Sequence, residues 1–326
     1  MKRLDCFRFS LAIATFAAMP FAALAQPDAW PARPVRIVSF LAPGGLSDTL
    51  ARILAQHLEA RLGGRFLVEN RSGGGGVIGA AQVAEQAPDG YTLGISGVGS
   101  NVIAPAINAN VKFDPMKSFT HIAFLGGAPT ALVVHPGSGI SSLGEFVGRA
   151  RSRGGLQFGS AGTGTQGHLI GELFRRDAGV ELTHVPYRGA IPVVADVIAG
   201  HVPAGFVTIS SAAQHVRAGT LKALAVTSAE RLAQFPDVPT FAESGYRDIV
   251  ALTWFALCAP AGLPKTIVTK LNEAAVQIMI SPAVTKQLEA EAIQVLKMDP
   301  EAFTAFVQAE IERWTPIAKK VAVQPQ

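Results

Sequence analysis

The feature that most constrains the fold is a unit of strand, glycine-rich turn and helix that occurs twice, about 120 residues apart. In the first copy an apolar run at residues 35–40 meets Pro43, Gly44 and Gly45, and a helical pattern follows. In the second copy a short apolar run at residues 156–158 meets a turn at 162–164, again followed by a helical pattern. Glycine lets the backbone approach a ligand closely, and the helix behind each turn directs unpaired N–H groups to that place. The two copies together predict two halves of one anion-binding site.

The pattern around each unit is typical of an α/β protein. Apolar runs that predict strands lie at residues 35–40, 66–69, 92–96, 121–125 and 131–135, and then at 156–158, 182–186, 204–209 and 223–227. Helical apolar stripes lie between them at residues 50–62, 77–86, 143–152, 168–178 and 192–199, the last with Pro192 at its first position. Short strand–helix–strand connections favour parallel sheets. We therefore predict two α/β lobes built on parallel sheets.

The last part of the chain is predicted to return to the first lobe. An apolar strand around Trp254, Phe255 and Leu257 is interpreted as the crossing back. Helices then start at Pro264, which is placed at the first helical position, after residue 282, and at residue 300 with Asp299 as the N-cap. Because these helices have no glycine turns of their own, we expect them to pack on the sheet of the first lobe.

The N-terminus has the pattern of a cleavable secretion signal. Lys2, Arg3 and Arg8 precede an apolar stretch at residues 11–24, and Ala23-Leu24-Ala25 matches a small-x-small cleavage site. The apolar stretch is short for a bilayer span. We expect a signal peptide at residues 1–25, a mature chain that begins at Gln26 without a membrane span, and a periplasmic location.

Composition argues against a disulfide-stabilised domain and against a nucleic-acid-binding protein. Of the two cysteines, Cys6 lies in the signal and only Cys258 in the mature chain, so an intrachain disulfide is not expected. The content of 49% hydrophobic and 16% charged residues is that of a compact, ordered chain. The net charge is +4 and the basic residues are scattered, which argues against nucleic acid as a partner.

Enzyme and metal signals are weak. The seven histidines include no His-x-x-x-His pair, and no Gly-x-Ser-x-Gly motif occurs, so neither a metal site nor a nucleophile elbow is expected. Residues 162–167 spell Gly-x-Gly-x-x-Gly, but the acidic candidate, Glu181, precedes the next strand, which disfavours a dinucleotide site. Two alternatives stay open: a secreted hydrolase of carboxylates that uses Ser160 and His168, and a sensor adaptor that presents the liganded receptor to a signalling partner.

The candidate ligand-binding residues follow from the two turns. The proposed backbone donors are Gly44, Gly45 and Ser47 in the first copy and Ser160, Gly162, Thr163 and Gly164 in the second. Asp48 either accepts from a ligand ammonium or, with Ser47, caps the helix, and His168 donates to the ligand or makes a local hydrogen bond. Tyr187, Arg188, Gly97, Ser100 and Thr208 follow strand ends, where ligands of open α/β sheets bind, although a surface position is the more ordinary interpretation of Arg188.

Six motifs in sequence resemble one known family. They are FLAPGGLSD at residues 40–48, VENRSGGGG at 68–76, PDGYTL at 88–93, SAGTGTQGHL at 160–169, HVPYRG at 184–189 and PDVPTFAESG at 236–245. In this order, over nearly the whole mature chain, they look like the Bug-type extracytoplasmic receptors of tripartite tricarboxylate transporters. Leu46 departs from the small residue common after the double glycine, which would narrow the site or favour an apolar ligand body.

The resemblance implies a type II periplasmic-binding-protein fold, with two α/β lobes joined by two crossing strands and a ligand cleft between them. We place the first lobe at residues 26–126 and 253–326 and the second at 127–252. It implies a monomer without cofactor or catalytic step that binds a small organic carboxylate and delivers it to membrane permease subunits. In such receptors backbone amides and ordered waters from the two matching loops hold the anion, which adds Phe40, Leu41, Pro43, Ala161 and Thr165 to the candidates.

Overall fold

The computed structural model describes residues 30–322 as a mixed α/β fold; the predicted signal peptide lies outside this range. The strands are β1 (Val35–Ser39), β2 (Phe66–Asn70), β3 (Thr92–Gly97), β4 (Phe119–Val134), β5 (Leu156–Ser160), β6 (Leu182–Pro186), β7 (Ala204–Thr208), β8 (Lys222–Val226) and β9 (Leu252–Pro260). The helices are α1 (Leu46–Leu62), α2 (Val77–Ala84), α3 (Ala104–Ile107), α4 (Leu143–Ser152), α5 (Gln166–Ala178), α6 (Ala190–Ile198), α7 (Ile209–Arg217), α8 (Lys265–Met279), α9 (Pro282–Ala290) and α10 (Pro300–Ala322). Within residues 30–322, none of the helices has the length and apolar character that crossing a bilayer requires.

Two sheets meet along β4. In the first lobe β2, β1 and β3 are parallel, and β9 and the first part of β4 continue that sheet in antiparallel register. In the second lobe β6, β5 and β7 are parallel, and the last part of β4 pairs antiparallel with β7 and β8. The change of partners occurs between Pro129, which pairs with Leu252 of β9, and Thr130, which pairs with Thr208 of β7. Strands β4 and β9 therefore connect the two lobes, and the predicted lobe limits stay a prediction.

The prediction of separate strands at residues 121–125 and 131–135 is wrong, because both belong to the 16-residue strand β4. The intervening Gly126 and Gly127 are extended. A Cβ on Gly126 would lie 2.9 Å from Ile293 Cγ2, and one on Gly127 would lie 2.8 Å from Leu252 Cγ. These glycines permit close packing and do not form a turn. The expected parallel sheets are confirmed for β1 to β3 and for β5 to β7. Strands β4, β8 and β9 differ, because they run antiparallel to their neighbours.

Several helix starts differ from the prediction. Helix α1 begins at Leu46 with Gly45 as its N-cap, so Ser47 and Asp48 lie inside the helix and do not cap it. Pro192 is the third residue of α6, and Pro264 is the N-cap of α8. Helix α7 was not predicted, because its polar sequence follows strand β7 without a turn signal. The cap of α10 is as predicted: Ala302 N donates to Asp299 Oδ1 at 2.7 Å.

The C-terminal helices join the lobes more than the sequence suggests. Helix α8 packs on β4 and α1, as expected for the first lobe. Helix α10 contacts β4 and also α5 of the second lobe. Its Phe303 lies edge-on to Trp254 of β9, with ring centroids 6.2 Å apart, and Trp254 Nε1 donates to Glu310 of α10 at 2.8 Å. The crossing strands are thus supported by α10 on one face and lie behind the inter-lobe cavity on the other.

Candidate functional site: a cavity between the two lobes

A cavity of about 60 Å³ lies between the lobes in front of the crossing strands. The first lobe contributes Phe40, Leu41, Ala42, Gly45, Leu46, Gly75, Ile95, Gly99 and Ser100; the crossing strands contribute Thr130, Thr253 and Phe255; the second lobe contributes Ala161, Thr165, Gln166, Gly167, Gly189, Ala190, Phe206, Val207, Thr208 and Ser211. At about 10–15 Å³ for each water-sized position, this space suits a compact small molecule. None of these lining residues carries a charged side chain.

Two helices begin at the cavity, one from each lobe. The first N–H groups of an α-helix have no intrahelical acceptor and form the positive end of the helix dipole. Among the described residues, neither helix has a side-chain cap: the N-cap of α1 is Gly45, and the N-cap of α5 is Thr165, whose hydroxyl donates to Gly162 O at 2.6 Å. The N–H groups at Leu46 and Gln166 therefore open next to the cavity. Together the two helix ends favour an anion there.

The structure brings some of the predicted site residues to the cavity and places the others around it. The cavity is lined by Phe40, Leu41, Gly45, Ser100, Ala161, Thr165 and Thr208. Two are exposed, Pro43 and Gly44, and a groove where the lobes meet contains Gly162, Thr163 and Tyr187. Six are buried behind the wall, namely Ser47, Asp48, Gly97, Ser160, Gly164 and His168. The role of each in binding stays a prediction.

Three of the proposed backbone donors already have acceptors in the protein. Gly44 N donates to Asp48 Oδ2 at 3.0 Å, and Gly164 N donates to His168 Nδ1 at 3.3 Å. Gly162 N donates to the Ser160 hydroxyl at 3.2 Å. These bonds fix the shape of the two loops. The helix N–H groups at Leu46 and Gln166 are consequently better placed for a ligand than these glycines.

Asp48 organises the first loop from inside the protein. Its carboxylate accepts from Gly44 N, from Arg52 Nε at 2.9 Å and from Asn70 Nδ2 at 3.0 Å. Burial alone would raise the pKa of this carboxyl, but these hydrogen bonds and the charge of Arg52 lower the pKa below its ordinary value. Asn70 also donates to Leu41 O at 3.1 Å, next to the cavity. The ionised Asp48 thus positions the loop and is not exposed to a ligand.

Two histidines lie behind the second loop. The rings of His168 and His184 are 4.2 Å apart, and the Ser160 hydroxyl lies 2.7 Å from His184 Nε2. Burial lowers the pKa of His168 to about 4; burial and then the neighbouring His168 lower the pKa of His184 to about 3. Both rings are therefore neutral near pH 7.

The geometry does not assemble the serine and histidine of the hydrolase alternative. Ser160 contacts His184 in place of the predicted His168, and its side chain is fully buried. Within residues 30–322, neither His168 nor His184 has a carboxylate among its hydrogen-bond partners. In the same part of the chain, no cluster of His, Cys, Asp and Glu side chains is arranged to hold a metal ion.

The lobes contact each other at the rim of the cavity. Ala42 N in the first lobe donates to Arg188 O in the second at 3.2 Å. The glycine turn before α2 meets the loop before α5 so closely that a Cβ on Gly75 would lie 2.1 Å from Thr163 O. The described arrangement is therefore a closed one, in which backbone from both lobes encloses the cavity.

Sequence analysis missed the residues that the crossing strands and the start of α5 bring to the cavity. Thr253 and Phe255 lie two positions apart on β9, so they point to the same face. In the sequence Gln166 is only a variable position of the Gly-x-Gly-x-x-Gly run at residues 162–167, and no binding role was predicted for it. The alternation of side chains between the two faces of the return strand was the available signal for Thr253. Thr130 and Gln166 reach the cavity only because the chain folds as it does.

The chain is similar to a well-populated group of proteins. A sequence model described as "Tripartite tricarboxylate transporter family receptor" matches residues 50–323. Protein BugT of Bordetella pertussis is 33% identical over 305 residues, which covers 93% of this chain and 94% of BugT. The solved structure of the periplasmic binding protein BugD has a TM-score of 0.87 and 31% identity, covering 91% of this chain and 100% of BugD. An R. palustris protein solved with adipate has a TM-score of 0.87 and 33% identity, covering 91% and 100%.

Proposed function

From the premise that this chain belongs to the tripartite tricarboxylate transporter receptor family, we propose that it binds a small organic carboxylate between its lobes and delivers it to a membrane permease. The family and the two-lobed periplasmic-binding-protein fold make it a solute-binding protein. The choice of a carboxylate and the delivery to a permease of the tripartite tricarboxylate type are the proposal.

The observation that carries the proposal is the pair of uncapped helix N-termini, α1 and α5, at one enclosed cavity. Each end acts as about half a positive charge. Because no lining residue carries a charge, backbone dipoles are the positive groups that an anion meets. The apolar walls, which include Phe40, Leu46 and Phe255, suit the carbon body of an organic acid.

The relatives support the same class of ligand. A neighbour with 33% identity was solved with adipate, a dicarboxylate with an apolar chain. In the present chain a ligand that bridges α1 and α5 would favour the closed arrangement, since each lobe supplies one helix end. A permease that recognises contacts made by both lobes together would then select the liganded receptor. With the predicted signal peptide at residues 1–25, these events take place in the periplasm.

Thermal unfolding of the purified protein, stripped of ligand by unfolding and refolding, tests the proposal. We expect one group of small carboxylates, from a panel of mono-, di- and tricarboxylates, amino acids and neutral sugars, to raise the unfolding midpoint by several degrees. A ligand present at 100 times its dissociation constant stabilises a protein by about 2.7 kcal/mol. Stabilisation by sugars alone, or by no acid in the panel, would contradict a carboxylate receptor.

Delivery to a permease needs a separate measurement. Uptake of the identified acid by membrane vesicles that contain the permease should require the receptor and should saturate with receptor concentration. Tight binding without receptor-dependent uptake would reject delivery and leave the binding function intact.

A further inference from the structure

Gln166 is a buried amide whose hydrogen bonding is only half completed by the protein. It is the first residue of α5, lines the cavity and is 1% exposed. Its Oε1 accepts from the Thr253 hydroxyl at 2.7 Å. Its Nε2 is buried and has no acceptor among residues 30–322. Leaving a buried amide donor without an acceptor costs free energy. A ligand in the adjoining cavity can supply that acceptor.

Two hydroxyls from the crossing strands orient this amide. The hydroxyls of Thr130 on β4 and Thr253 on β9 lie 3.1 Å apart. A hydroxyl has one proton to donate, so Thr253 donates to Gln166 and must accept from Thr130. This chain of donors holds the oxygen of the amide against β9 and leaves the NH₂ group for another acceptor. The amide is thereby set as a hydrogen-bond donor.

The charge of the cavity limits what that acceptor is. The helix ends of α1 and α5 favour one anionic group, but among residues 30–322 no Lys, Arg or His lines the cavity for a second. A second carboxylate beside Gln166 would be buried with a neutral amide as its partner, which is unfavourable compared with its hydration in water. An uncharged oxygen loses much less on burial and is satisfied by a single amide N–H.

We propose that Gln166 is a specificity-determining residue that donates from Nε2 to an uncharged oxygen at the far end of the ligand. The ligand class is a compact monocarboxylate with a keto or amide oxygen opposite its carboxylate. This inference rests on the proposed function, because it assumes that the carboxylate binds at the helix ends.

Four acids with the same number of non-hydrogen atoms test the proposal: 4-oxopentanoate, succinamate, succinate and 4-methylpentanoate. They differ only at the far end, which is a ketone, an amide, a carboxylate or an isopropyl group. Calorimetric titration of the stripped protein should give 4-oxopentanoate and succinamate at least about 10-fold tighter binding than 4-methylpentanoate, the lower range for one buried hydrogen bond. Succinate should bind more weakly than both keto and amide acids.

Variants separate the role of the amide from a general loss of the fold. Gln166→Met keeps the length of the side chain without a donor, and we expect the preference for 4-oxopentanoate over 4-methylpentanoate to fall to about one-fold. Thr253→Val, which removes the hydroxyl that orients the amide, should reduce the same ratio, because Nε2 is then no longer held toward the far end of the ligand. Gln157→Met, at an exposed position of β5, is the matched control and should leave all four affinities unchanged.

The outcomes distinguish this inference from the proposed function. If succinate binds best, or if Gln166→Met retains the wild-type ratio, the inference is overturned while a carboxylate receptor stands. If succinamate alone binds well and 4-oxopentanoate matches 4-methylpentanoate, Gln166 presents its oxygen to a ligand donor, which also overturns it. If neither these acids nor the wider panel bind, the proposed function itself has failed.

Discussion

At the scale of single residues, the site depends on side chains that never reach the ligand. Asp48 is 4% exposed, yet it receives hydrogen bonds from the loop at Gly44, from α1 at Arg52 and from β2 at Asn70. Each of these partners is a donor, so the position requires an acceptor on both oxygens. An ionised carboxylate meets this requirement, and hydrogen bonds to a charged group are stronger than neutral ones.

Asp48→Asn is predicted to loosen the first loop. The asparagine NH₂ group would face a donor, so the free energy of unfolding should fall by about 2 kcal/mol and ligand affinity should fall with it. Urea unfolding and calorimetric titration measure the two effects. Asp89→Asn, in an exposed turn where an amide oxygen can still accept from Tyr91 N, is the control and should change both values little. Equal effects of the two substitutions would reject the role given to Asp48.

At the scale of elements, closure brings two glycine turns into backbone contact. The turn at Gly74–Gly76, ahead of α2, meets the loop between β5 and α5 across the rim of the cavity. Gly75 has a φ of +65°, and a Cβ there would lie 2.1 Å from Thr163 O. No side chain fits this contact, so glycine is needed for the closed arrangement independently of the ligand.

Gly75→Ala is predicted to prevent full closure and to weaken ligand binding at least about 10-fold, since contacts from both lobes form only when the cavity is closed. Gly139→Ala is a matched control: its φ is +69°, so the backbone strain is similar, but a Cβ there meets no atom of the described part of the chain within 4 Å. Small-angle scattering with and without the acid identified in the panel should show compaction for the control and little for Gly75→Ala. A Gly75→Ala protein that closes and binds normally would refute the prediction.

At the scale of the whole molecule, both lobes bury histidines that stay neutral. His121 lies in β4 against Phe303 of α10, and burial lowers its pKa to about 4. His168 and His184, with pKa values of about 4 and 3, stack in the second lobe. In the unfolded chain a histidine has a pKa of about 6.5. The unfolded state therefore binds more protons than the folded state between these values.

This difference predicts acid destabilisation above the range in which carboxylates titrate. Above about pH 6.5 these histidines are neutral in both states, and the free energy of unfolding has its full value. As the pH falls toward 4, protonation of the unfolded chain lowers the free energy of unfolding. Each pH unit costs up to about 1.4 kcal/mol for each histidine. Urea unfolding at pH 8, 7, 6 and 5 should show this decline, and His121→Gln should make it shallower. Equal stability at pH 7 and pH 5 would disprove it.

By itself, the sequence determined the α/β class, most strands and helices, and the two glycine turns at the site. These features are local: apolar periodicity and glycine position depend on neighbours a few residues away. The resemblance carried by the six motifs also predicted the family and the two-lobed fold, which the comparisons confirm.

Only the tertiary structure decided which residues meet at the cavity. Gln166 and Thr253 are 87 positions apart, and Thr253 and Thr130 are 123 apart, so no local pattern relates them. The glycines of β4 separate two apolar runs in the sequence, and only the packing against β9 and residue 293 shows why side chains are excluded there. Some side chains predicted to contact the ligand, such as Asp48 and His168, are instead buried and hydrogen-bonded to the loops. These contacts join segments that are far apart in the sequence, so they form only when the two lobes have folded and closed.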